Sequence, residues 1–265
     1  MKADEACGAM CLSKPTCQGN EMSEAGSLSG TVQALIVAHG QPSNPAPAEA
    51  ALAEVCTRVQ ARLGSVRIGS ATMAAPDRLE AALDGLAEGA LVYPMFMSDG
   101  WFVRTALAKR LEGRAVEVLA PLGLDPSLVG LAAAEVGQAV ERAGWLAADT
   151  HILLAAHGSG RGRPQAAASA RAFAQKLDKA LANAGINVAF LEEPPFVEDI
   201  ARPMPAQSVC LPFFAMDGDH VRCDVRHALN QAAFTGPFLP AFAHCDGVPA
   251  MIAATIGAGL SQRKA

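Results

Sequence analysis

Three side chains in the second half of the chain, His157, Glu192 and His220, are of the types that bind a divalent first-row metal and accept protons. His157 follows the apolar run Ile152-Leu-Leu-Ala-Ala156 and precedes Gly158. Glu192 closes the run Val188-Ala-Phe-Leu-Glu192, and His220 ends Asp217-Gly-Asp-His220, six residues past Phe214. Neutral imidazole and carboxylate suit cobalt, iron, nickel and zinc alike. Each residue also has an ordinary reading: a histidine bonded across its loop, an exposed acidic pair with Glu193, a turn with a helix cap. The convergence of all three gives the set its meaning. His151, His227 and His244 read as structural or surface histidines.

The convergence follows from an internal repeat. Ala34-Leu-Ile-Val-Ala-His39-Gly40 resembles Ile152-Leu-Leu-Ala-Ala-His157-Gly158, and the two histidines stand 118 residues apart. Tyr93-Pro-Met-Phe-Met-Ser-Asp-Gly-Trp-Phe-Val-Arg104 resembles Leu211-Pro-Phe-Phe-Ala-Met-Asp-Gly-Asp-His-Val-Arg222 at the same offset of 118, as do Pro76 and Pro194. One offset held through separate motifs means two copies of one unit. At that offset Glu192 corresponds to Ala74 and His220 to Phe102, so of the three only the histidine at position 39 persists in the first copy. The glycines of Asp99-Gly100 and Asp217-Gly218 read as turn residues free to take φ > 0.

Each copy alternates short apolar runs with helical spacing. In the first, strands are expected near 34–38, 66–71, 90–97 and 116–120, with helices near 45–63, 77–87, 103–111 and 127–143. In the second, strands are expected near 151–156, 187–191, 208–214 and 237–239, with helices near 165–184, 196–201, 221–232 and 249–260. The expected fold is α/β: two duplicated lobes, 31–147 and 148–265, each a four-stranded parallel sheet wrapped by helices with right-handed crossovers. Open parallel sheets bind ligands outside the carboxyl ends of their strands. His157, Glu192 and His220 each follow a different strand of the second copy, so the fold carries them to one edge.

Composition narrows the function. The 265 residues are 51% hydrophobic and only 5% aromatic, so Ala, Leu and Val fill the core. A net charge of −5 argues against a nucleic-acid partner. No apolar run is long enough to cross a bilayer, and residues 1–30 lack a continuous apolar signal segment, so a cytoplasmic protein is expected. Cys7, Cys11 and Cys17 fit no common zinc spacing, and residues 1–30 read as a disordered, reduced tail, with metal capture as the other reading. Met22 is a second possible start. The loop Ser159-Gly-Arg-Gly-Arg-Pro164 lacks the lysine of a phosphate-binding loop. Arg161 and Arg163 suit carboxylate partners instead, because guanidinium pairs with carboxylate bidentately.

His-Gly after an apolar first strand, the Ala-Phe-Leu-Glu run, and Pro-Phe-Phe followed by Gly-Asp-His resemble the class II chelatases. More narrowly they resemble the CbiX and CbiK type sirohydrochlorin cobaltochelatases and the siroheme ferrochelatase. The resemblance spans residues 31–260 and includes the two-unit, chelatase-like architecture. It implies insertion of Co2+, Fe2+ or Ni2+ into sirohydrochlorin without ATP, for cobalamin or siroheme biosynthesis, with no permanent cofactor. It implies catalytic and metal-handling roles for His157, Glu192 and His220, and substrate carboxylates as partners of Arg161 and Arg163. The implied substrate is a tetrapyrrole held between the lobes, and the two lobes suit a monomer. Phe102 departs from the pattern, since single-unit relatives that dimerise carry a histidine there twice. Two rivals stand beside this expectation: a non-catalytic tetrapyrrole or metal carrier on the same fold, and a flavodoxin-like or periplasmic-binding-type ligand sensor without metal.

Overall fold

The computed structural model describes residues 31–159, 164–181 and 185–263. Residues 31–265 form one compact unit. The first sheet has the parallel order β2-β1-β3-β4, from β1 (Val32–Ala38), β2 (Ile68–Thr72), β3 (Leu86–Pro94) and β4 (Val116–Val118). The second has the parallel order β6-β5-β7, from β5 (His151–Ala156), β6 (Gly185–Phe190) and β7 (Ser208–Pro212). The central strands β1 and β5 are buried on both faces, which is why their sequences are continuously apolar.

The expected fourth strand of the second sheet shrinks to one bridge between Cys210 and Phe238. Cys210 donates its N–H to the Pro237 carbonyl at 2.8 Å, and Leu239 donates to the Cys210 carbonyl at 2.9 Å. Pro237 and Pro240 have no N–H to extend the ladder, so pairing stops there.

Helices cover both faces of each sheet. In the first half they are α1 (Pro45–Gln60), α2 (Arg78–Asp84), α3 (Ala108–Leu111) and α4 (Ser127–Arg142). In the second they are α5 (Gln165–Ala180), α6 (Val197–Ala201), α7 (Arg226–Gln231) and α8 (Val248–Gln262). Leu128, Ala132, Val136 and Val140 of α4 recur at helical spacing and are buried, as are Ala167, Ala170, Phe173 and Leu177 of α5. Where continuous α-helices were expected near 103 and 221, π-helical turns over Phe102–Leu107 and His220–Val225 precede α3 and α7. They begin at equivalent positions of the two copies, so the irregularity belongs to the repeated unit.

The main core joins the inner faces of both sheets to α1, α4, α5 and α8. Phe173, Phe213 and Phe242 meet there, with ring centroids 4.7, 6.0 and 6.3 Å apart. Two smaller cores lie under the outer helices, one beneath α2 and α3 and one beneath α6 and α7. The last helix of each copy crosses to the other copy's sheet: α4 packs on β7, and α8 packs on β3. A methyl on Gly259 of α8 would lie 2.8 Å from the Leu91 side chain of β3, so glycine permits that approach. Beyond α8, the Arg263 guanidinium pairs with Glu117 of β4 at the same interface.

Candidate metal-handling site

The polypeptide leaves β5 at His157 and turns at Gly158, whose φ of 72° suits glycine. A Cβ on Gly158 would sit 2.9 Å from the Phe190 Cβ and 3.0 Å from the Glu193 side chain. That closeness lets the Glu193 carboxylate accept the Ser159 N–H at 2.7 Å, pinning the loop beside the end of β6. Parallel pairing runs on past the strands: the Glu192 N–H donates to the His157 carbonyl at 3.0 Å. Glu192 and His157 are therefore neighbours through their backbones. The Glu192 side chain is exposed and has no hydrogen bond or ion pair among the described residues.

His220 opens the π-helical turn after β7, and its imidazole reaches back to His157. The two Nε2 atoms lie 3.2 Å apart, with ring centroids at 4.4 Å and planes at 89°. The other nitrogen of each ring is already committed. His157 Nδ1 lies 3.1 Å from the Gly158 carbonyl, and His220 Nδ1 lies 2.8 Å from the Asp224 carboxylate. Both partners only accept, so in the neutral rings each Nδ1 carries the proton and each Nε2 presents a lone pair. Two lone pairs aimed at each other repel unless a cation or proton sits between them. Two Nε2 atoms bound to one tetrahedral ion at about 2.0–2.1 Å stand about 3.3 Å apart. The pair has the spacing of two metal ligands, with orienting partners of the kind that metal-binding histidines use.

Asp224 is the residue that sequence reasoning missed. Its signal was present as His220-x-x-x-Asp224, a spacing that puts both side chains on one helical face. Among the described residues, no group of three His, Cys, Asp or Glu side chains converges into a ready metal cage. Two nitrogens on an open edge fit an ion that arrives and leaves. Burial raises the thiol pKa of Cys210, and raises that of Cys245 to about 12 with help from Glu135 and Asp246. Both thiols stay protonated at neutral pH and make poor metal ligands.

The first copy has the same backbone and different chemistry. His39 follows β1, its Nδ1 lies 2.6 Å from the Gly40 carbonyl, and the Ala74 N–H donates to the His39 carbonyl. Phe102 and Ala106 stand where the second copy has His220 and Asp224. The copies also differ in the partners of their aspartates. Asp99 holds Arg104 at 2.7 Å, whereas the equivalent Asp217 holds His244 at 3.2 Å. Arg222, the counterpart of Arg104, is exposed and makes no ion pair among the described residues. Gln41, two residues past His39, donates to the carboxylate of Asp219, which precedes His220. The loops that follow β1 and β7 therefore touch. Arg161 and Arg163 lie outside the described residues.

The family model of CbiX matches the chain twice, over residues 33–139 and 151–257. The solved structure of CbiX described as the terminal enzyme for biosynthesis of siroheme in denitrifying bacteria is 42% identical, with a TM-score of 0.78 over 85% of this chain and 98% of that one. A multi-domain Deinococcus radiodurans protein with structural similarity to chelatases is 22% identical, with a TM-score of 0.64 over 86% of this chain and 55% of that one. SirB from Bacillus subtilis with Fe3+ is 15% identical, with a TM-score of 0.65 over 89% of this chain and 98% of that one. At those identities the last two are likenesses of fold. No curated protein sequence matches the chain closely enough to establish kinship.

Proposed function

The chain belongs to the CbiX family, and from that premise we propose that it is a cytoplasmic chelatase that inserts a divalent metal into sirohydrochlorin. The observation that carries the proposal is the His157–His220 pair, two Nε2 lone pairs 3.2 Å apart with both Nδ1 atoms committed elsewhere. The metal is a substrate here. His157 and His220 receive it and hold it at the cleft while the macrocycle binds beside them.

Insertion breaks two pyrrole N–H bonds and forms bonds from the ring nitrogens to the metal, releasing two protons. Each Nε2 regains a free lone pair as the metal leaves it, so His157 and His220 are general bases at the moment protons need an acceptor. Glu192, beside His157 and exposed, assists by relaying these protons to water. No step consumes ATP. Sirohydrochlorin carries eight carboxylates, and Arg222 together with Arg161 and Arg163 supplies cations to meet them. Kinship with a siroheme enzyme at 42% identity favours iron, with cobalt as the other metal for this site. Incubating the protein with sirohydrochlorin and each metal in turn, and following the absorbance, tests the proposal. Rates no faster than the protein-free reaction with both iron and cobalt would overturn it.

A further inference from the structure

The loop after β3 displays two large aromatic side chains that the core does not absorb. Trp101 is 43% exposed and Phe102 is 40% exposed, although Val103 and Leu107 of the same segment are buried. They are braced. Their rings meet edge to face at 5.2 Å, and Phe102 stacks on Phe96, with centroids 6.2 Å apart and planes at 21°. Phe96 belongs to the outer core of this lobe, so a run of three rings leads from the core to the cleft. In the second copy the same two positions are Asp219 and His220.

Two routes of contact join this loop to the histidine edge. On one side Phe102 packs against His39, and Gln41, two residues past His39, bonds Asp219. On the other, a Cβ on Gly100 would lie 3.7 Å from the Cβ of Gln165, the first residue of α5, which follows the loop from His157. Trp101 and Phe102 therefore lie on the cleft that holds His157 and His220. Single exposed aromatics are ordinary. A braced pair against His39, one bonded bridge from the loop of His220, has the make-up of a ligand wall, flat and apolar with polar groups at its margin.

We propose that Trp101 and Phe102 are the surface on which one face of the tetrapyrrole rests during insertion. The inference builds on the chelatase reading above. The first lobe has exchanged the residue that handles metal for one that holds the organic substrate. A macrocycle is a wide π-surface, and offset or edge-on contact with the two rings fixes its plane while its nitrogens face the histidines. The wall recognises the flat ring system; the arginines recognise its acidic fringe.

The test uses full-length protein and metal-free sirohydrochlorin. Trp101 and Trp145 are the only tryptophans, so Trp145→Phe leaves Trp101 as sole reporter, and its fluorescence is quenched as the macrocycle binds. Trp101→Ala weakens macrocycle binding about tenfold, on the scale of a lost aromatic contact with its buried area. The loss falls on KM more than on kcat, Trp101→Phe restores most of it, and cobalt binding without macrocycle keeps its affinity. An unchanged KM in Trp101→Ala, or unquenched Trp101 at saturating macrocycle, would overturn the wall while the chelatase reading stood. Failure of the wild-type protein to bind sirohydrochlorin at all would overturn both.

Discussion

Phe102 meets the imidazole of His39 edge-on, with ring centroids 4.2 Å apart and planes at 77°. His220 holds nearly the same pose against His157, at 4.4 Å and 89°. The first lobe has the scaffold of a two-histidine site with a phenyl ring in place of the second imidazole. Phe102→His with Ala106→Asp should restore both the second imidazole and the carboxylate that orients it. The double variant should bind two cobalt ions per chain where the wild type binds one, as read by equilibrium dialysis. A stoichiometry of one would mean that the first lobe no longer places the rings for metal.

His157→Ala and His220→Ala should each remove most insertion activity while leaving the circular dichroism unchanged. His39→Ala should be much milder, because its neighbours Phe102 and Ala74 supply no donor. Initial rates with iron and cobalt decide the matter. Equal losses in all three variants would mean that the work is shared between lobes.

Asp224→Asn should lower metal affinity by about 10- to 100-fold, the usual cost of losing the partner that orients a metal-binding histidine. Thermal stability should hardly change. The His220 and Asp224 side chains are 50% and 52% exposed, and a pair that open contributes little to folding. Isothermal titration with cobalt and a melting curve on one preparation separate the two effects. A large fall in melting temperature at unchanged affinity would make Asp224 a structural residue instead.

Arg222→Ala should raise KM for sirohydrochlorin several-fold with kcat nearly intact. Arg104→Ala, which breaks the Asp99 pair in the other lobe, should leave both constants alone. The contrast arises because His244 takes the aspartate that Arg222 would otherwise bind. Steady-state kinetics with varied macrocycle reads it, and equal effects of the two substitutions would count against a carboxylate role for Arg222.

Residues 31–147 produced alone should form a dimer. In the whole chain α8 covers β3, and the shortened chain lacks α8. Its own α4 occupies the equivalent position in the repeat, so two copies can exchange α4 as α4 and α8 are exchanged here. Size-exclusion chromatography with light scattering checks this, and a stable monomer would show that β3 does not need a crossing helix.

The offset of 118 residues carried much of the architecture in plain text. Each apolar run ending in His-Gly is a buried central strand, and Asp99-Gly100 and Asp217-Gly218 stand ahead of equivalent helical segments, although neither glycine takes the expected positive φ. The destination of the last helices was not legible. Helices α4 and α8 are both apolar and occupy equivalent repeat positions, so pattern alone cannot say which sheet each one covers. The His157–His220 contact depends on a π-helical turn, and hydrophobic periodicity does not distinguish such a turn from the α-helix that follows. Asp224 was hidden because its meaning depends on the orientation of one ring nitrogen. The shortened fourth strand was readable in principle from Pro237 and Pro240.

Two identical chains forming a symmetric pair inherit every substitution twice. A phenylalanine at the His220 position of such a pair would erase both sites in one mutation. With the copies joined in one gene, position 102 could turn to phenylalanine while position 220 stayed histidine. The exchanged helices, α4 on β7 and α8 on β3, tie the halves together whichever residue stands at either position. Covalent fusion lets two copies of one surface carry different chemistry.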